Sequence, residues 1–94
     1  ASYNSTDSAE MQAARNFIMN RRYAEARRVL DSMNARNARW YYLSSLANQG
    51  LGNSIDALQD ARRAAQLDPN NTEYRTPARI IALLKPPMLD RAVL

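Results

Sequence analysis

Apolar residues recur along this chain at spacings of three and four, the period of a helix with one buried face. Met11, Ala14 and Ile18 form the first such stripe, with Ala13 and Phe17 beside it. Asp7 stands where an N-cap belongs, and Glu10 can reach back as its capping-box partner. A first helix is therefore expected from about Ser8 to Asn20. In residues 21–33, Tyr23, Ala26, Leu30 and Met33 share one side while the arginines lie mostly on the other. This predicts a second amphipathic helix, and the few residues between the two leave room only for an antiparallel hairpin. Two asparagines, Asn34 and Asn37, then break the pattern.

A third helix is predicted from about Ala38, with Trp40, Leu43 and Ala47 along one side, Ser44 and Leu46 adjoining, and Gly50 and Gly52 at its end. Asn53 or Ser54 can cap a fourth, whose expected buried stripe is Ile55, Leu58, Ala61 and Ala65, closed by Leu67. Pro69 cannot continue that helix and pushes Asp68 out of the α region. Beyond it the character changes, with three of the four prolines after residue 70. Thr76 and Pro77 read as N-cap and first position of a short helix to about Lys85, stopped by Pro86 and Pro87. The expected fold is all-α in one domain over 1–94: hairpins at 8–33 and 38–68, then a C-terminal packing or capping helix and tail at 72–94.

Composition narrows the chemistry. The chain has no histidine and no cysteine, so the commonest general base, the thiolate nucleophile and the usual transition-metal ligands are missing together. The expectation is a non-enzyme with no cofactor and no metal site. Asp56 and Asp60 share a helix face, but Arg63 lies one turn beyond Asp60, and an exposed ion-pair ladder is the expected arrangement. "GLGNS" lacks both the preceding strand and the following lysine of a phosphate loop and reads as a turn. The longest apolar run, Ile80 to Leu84, is too short to span a bilayer, and no signal peptide opens the chain. No membrane association is expected, and cytoplasmic residence is the default. The first residue is Ala1 rather than methionine, which reads as a trimmed or excised chain.

Net charge is +4, with twelve arginines and a single lysine. The pairs at 21–22, 27–28 and 62–63, with Arg36 and Arg39 near Trp40 and Tyr41, suggest phosphate gripping and base stacking, so a basic nucleic-acid-binding domain is the competing function class. Glu25, Asp31, Asp56 and Asp60 dilute that patch, and solvated helix faces are the plainer reading.

Residues 23–31, "YAEARRVLD", align with residues 54–62, "SIDALQDAR", pairing Ala26 with Ala57 and Glu25 with Asp56. A hairpin written twice in this way resembles the tetratricopeptide repeat, whose small residues sit where two helices approach closely. Trp40, Leu43, Gly52, Ala57, Ala64 and Pro69 carry the likeness in the second unit, and Ala14, Phe17, Tyr23, Ala26, Leu30 and Met33 in the first. Asp-Pro-Asn-Asn, residues 68–71, resembles the turn that launches a following unit. Arg21 stands where the first turn would carry glycine. Residues 36–58 also resemble the repeat region that follows the J-domain in some bacterial co-chaperones, without a His-Pro-Asp motif to stimulate an ATPase.

The resemblance implies a short solenoid that acts as a protein or peptide interaction module, binding on a concave face lined by the first helix of each hairpin. Carried across, the candidate groove residues are Gln12, Arg15 and Met19, then Tyr41, Tyr42, Ser45, Asn48 and Gln49. The lysine and asparagine set by which some family members clamp a terminal carboxylate is missing. Arrays of this kind end on a solvating helix, whereas Ile80, Ile81, Leu83 and Leu84, followed by Met88 and Leu89, make the tail apolar. That face either packs across the second hairpin or serves self-association as a homodimer, as an engineered scaffold could also use it.

Overall fold

A computed structural model describes residues 8–77. Among these there are helices and turns and no strand. The helices are α1 (Ala9–Met19), α2 (Tyr23–Ser32), α3 (Ala38–Gly50) and α4 (Ser54–Leu67), and residues 72–77 are helical as well. The all-helical class read from the periodicity is therefore present, with the limits of α1 to α4 within two residues of those expected. The tail residues Ile80, Ile81, Leu83, Leu84, Met88 and Leu89 lie outside the described residues, as does Asp7.

Local chemistry sets the ends. Ser8 rather than Asp7 is the N-cap of α1, its hydroxyl accepting from the Met11 N–H at 3.1 Å. That places Met11 at the third position and leaves Glu10 one residue short of a capping box. Asn37 caps α3 in the same way, accepting from the Trp40 N–H at 2.9 Å. Two helices end in one motif. After α1, Arg22 N–H donates to the Phe17 carbonyl and Arg21 N–H to that of Ile18; after α3, Asn53 donates to Asn48 and Gly52 to Gln49. This is the Schellman arrangement, which needs a left-handed residue just past the helix. Gly52 takes it at φ 85°, and Arg21, a residue with a Cβ, is held there at φ 62°.

The helices pack through small side chains. Ala14, Ala26, Ala47, Ala57, Ala61 and Ala64 are fully buried, and Leu30, Leu43, Trp40 and Met11 fill the space between α1, α2 and α3. Burying a leucine of this kind stabilises by roughly 1.5–3 kcal/mol. Three contacts run antiparallel between α2 and α3. The Trp40 indole N–H donates to the Leu30 carbonyl at 2.9 Å, Arg27 reaches Ser44 at 2.7 Å, and the Tyr23 ring lies over Gly50, where any β-carbon would collide with it.

Two expectations need correction. The buried stripe of α4 is Ala57, Ala61 and Ala64, whereas Ile55 is 64% exposed and Leu67 45%. The close approach of α3 admits only methyl-sized groups, so the large residues rotate outward. Nor is Pro77 the first residue of its helix. Asn71 starts that helix a turn and a half earlier, its side chain accepting from Glu73 N–H at 3.0 Å and its carbonyl from Tyr74 N–H at 3.1 Å. Asp68 leaves the helical region, with φ −139° and ψ 73°, so the Asp-Pro-Asn-Asn turn leads directly into residues 72–77.

Candidate binding site

Along α3, Tyr42, Leu46 and Gln49 follow one another at helical spacing and face the helix at 72–77. Together with Ser45, Glu73, Thr76 and Pro77 they line a cavity of about 340 Å³. Its wall is mostly apolar. The Tyr42 ring packs against that of Tyr74, centroids 4.9 Å apart and tilted by 34°, and the Tyr42 hydroxyl donates to Glu73 Oε2 at 3.2 Å. Burial, followed by the charge of Glu73 and this hydrogen bond, pushes the Tyr42 phenol up from 10.0 to about 12. The hydroxyl thus remains a donor at neutral pH. Two turns further along α3, Gln49 Oε1 is buried without a hydrogen-bond partner, although buried polar atoms are nearly always satisfied.

The candidate groove residues divide. Tyr42, Ser45 and Gln49 reach this cavity, but Ser45 is fully buried and its hydroxyl donates to the Tyr42 carbonyl at 2.6 Å. Ser45 therefore braces the wall. Its position is legible in the aligned register, where it falls 31 residues after Ala14, a member of the buried stripe of α1. Asn48 is also buried and turned toward α4. Tyr41 meets Trp40 edge to face at 5.0 Å, with the Arg63 guanidinium 6.0 Å from its ring. It is a packing residue between α3 and α4. Gln12, Arg15 and Met19 are exposed together on α1 and line none of the described cavities. Leu46, Glu73, Thr76 and Pro77 also line the cavity but are not among the groove residues expected from the sequence: Leu46 adjoins the expected apolar side of α3, and the others belong to a helix expected to begin later.

A polar seam occupies the other side of α3. Arg27 Nη1 donates to Ser44 Oγ at 2.7 Å, and Ser44 donates onward to Asp60 Oδ2 at 2.6 Å. Asn48 Nδ2 also donates to Asp60, at 3.0 Å. Arg27 pairs with Asp31 at 2.9 Å. The exposed ladder of Asp56, Asp60 and Arg63 is corrected accordingly, since the Asp60 carboxylate turns inward to two α3 donors. Arg27 is likewise drawn in between α2 and α3. Trp40, only 3% exposed, cannot serve as a stacking platform for bases. The residues of this seam satisfy one another and join three helices, and with Arg36, Asn53, Asp56 and Gln59 they line an open polar cavity of about 380 Å³.

No family model, no curated protein and no solved structure matches the chain. No helix of the described residues is long and apolar enough to cross a membrane.

Proposed function

We propose that the chain is a non-enzymatic interaction module, a short array of tetratricopeptide-like hairpins that binds a peptide or protein segment on the face of α3. The observation that carries this reading is the cavity between α3 and residues 72–77, apolar in its walls. A site of this composition suits an inserted apolar side chain. The array itself is supported by the two Schellman turns, whose left-handed residues stand 31 positions apart at 21 and 52, the same offset that pairs Ala26 with Ala57. Both of those alanines are fully buried.

The competing nucleic-acid reading has less to support it. Arg22 and Arg27 are each engaged with a carboxylate, and Trp40 is in the core. A peptide-display selection on the whole chain, followed by Gln49→Leu and Leu46→Ala, tests the proposal. Selected peptides are expected to lose at least about tenfold in affinity when the cavity is altered. Binding that ignores both substitutions, and instead falls steeply with salt against generic RNA or DNA, would overturn it in favour of phosphate contacts. Replacing Arg15 with Ala asks whether the exposed face of α1 extends the same site. Self-association through the tail is read separately, from the mass in solution.

A further inference from the structure

We infer that the cavity selects a peptide segment in which an apolar side chain is followed by a lysine or arginine. This rests on the reading of the α3 face as a peptide site and adds the chemical class of its ligand. Three observations carry it. The walls contributed by Leu46, Tyr42 and Pro77 are apolar and enclose about 340 Å³, near the lower end for a ligand pocket and suited to one or two side chains rather than a cofactor. Glu73 is the one charged residue among the described lining residues, and Tyr42 occupies only one of its two oxygens. The Tyr42 ring lines the cavity and its hydroxyl contacts that carboxylate, and an aromatic ring beside a carboxylate attracts a cation by quadrupole and charge together.

A peptide ending in a free carboxylate would instead set an anion beside Glu73, and no lysine or arginine stands among the described lining residues to receive it. Arg39, one turn before Tyr42, acts on the phenol electrostatically, but it does not line the cavity and is engaged in an interaction of its own. The chain's overall charge of +4 opposes a cationic ligand at long range. It is screened beyond about 10 Å at ordinary ionic strength, whereas Glu73 acts in contact.

The test uses three acetylated, amidated pentapeptides, Gly-Gly-Leu-Lys-Gly, Gly-Gly-Leu-Glu-Gly and Gly-Gly-Gly-Lys-Gly, titrated into the isotope-labelled full chain and followed by amide chemical shifts. The Leu-Lys peptide is expected to move Leu46, Gln49 and Thr76 saturably, with affinity on the order of millimolar. The Leu-Glu peptide should bind about fivefold more weakly, as one contact charge pair commands. Glu73→Gln should bring that ratio close to one while leaving the dependence on leucine. Equal binding of the two leucine peptides to the unaltered chain, or a preference that survives Glu73→Gln, overturns the inference and spares the site. If no peptide produces a leucine-dependent shift at the cavity, the site reading falls and the inference with it. Glu73 is exposed, so this substitution is not expected to disturb folding, and a thermal melt of the variant verifies that.

Discussion

Arg21 and Gly50 show how a single position can oppose or serve the fold. Arg21 adopts φ 62°, a conformation that costs an L-residue roughly 1–2 kcal/mol. Its counterpart in the second turn is Gly52, at φ 85°. Arg21→Gly should therefore raise the unfolding free energy by about 1 kcal/mol, less the added backbone entropy of glycine, as measured by the denaturant midpoint at unchanged slope. Gly50 is the reverse case. A methyl group there enters the Tyr23 ring, so Gly50→Ala should cost about 1–3 kcal/mol by overpacking, and pairing it with Tyr23→Leu should recover part of the loss. The glycine pattern in the sequence marks a turn at both Gly50 and Gly52. Only the packing shows that one is needed for its dihedral angles and the other for the space above it.

At the scale of elements, the union of α2, α3 and α4 depends on the chain from Arg27 through Ser44 to Asp60. Ser44 is 1% exposed and is the link shared by the other two helices. Ser44→Ala should destabilise by about 1 kcal/mol, because Arg27 and Asp60 each lose a partner while keeping Asp31 and Asn48. Asp31→Asn, which weakens the outer pair of the same arginine, should cost well under about 1 kcal/mol, since Asp31 is mostly exposed. A chemical-denaturation series on both variants distinguishes the inner link from the outer one. The heptad-like spacing of Ala57, Ala61 and Ala64 in α4 announces the close helix contact that is found, while the expected stripe adds larger members that lie outside it. Ile55 and Leu58 compete for the same face by hydrophobicity, and the contact distance to α3 decides in favour of Ala57, Ala61 and Ala64.

For the whole molecule, the face between α3 and residues 72–77 combines a titratable group with an unpaired one. The Tyr42 phenol, desolvated and beside Glu73, is pushed up to about 12 in the folded chain from its ordinary value of 10.0. Between those values the unfolded chain has released the proton and the folded chain still holds it, so the unfolded state binds fewer protons. Stability due to this group is complete below pH 10 and declines as pH rises through the folded value. Denaturant midpoints from pH 9 to pH 12 should accordingly fall more steeply for the unaltered chain than for Tyr42→Phe. Gln49→Leu should have a paradoxical result, raising stability by about 1 kcal/mol through loss of an unsatisfied buried acceptor while weakening peptide binding about tenfold. A fall in thermal midpoint with binding intact would contradict both halves.

The helical class, the approximate limits of α1 to α4, the pairing of Ala26 with Ala57 and the absence of histidine and cysteine chemistry are properties of the sequence by itself. They depend on periodicity, caps and residue identity, all of which act within a few positions along the chain. Which tyrosine lines a cavity, why Ser45 and Asn48 are buried, and how Asp60 exchanges a surface ion pair for two donors on α3 were decided by tertiary structure. Those outcomes are set by the distance and rotation between helices that the sequence separates by a dozen residues or more, and there a methyl group or a ring overrides local preference.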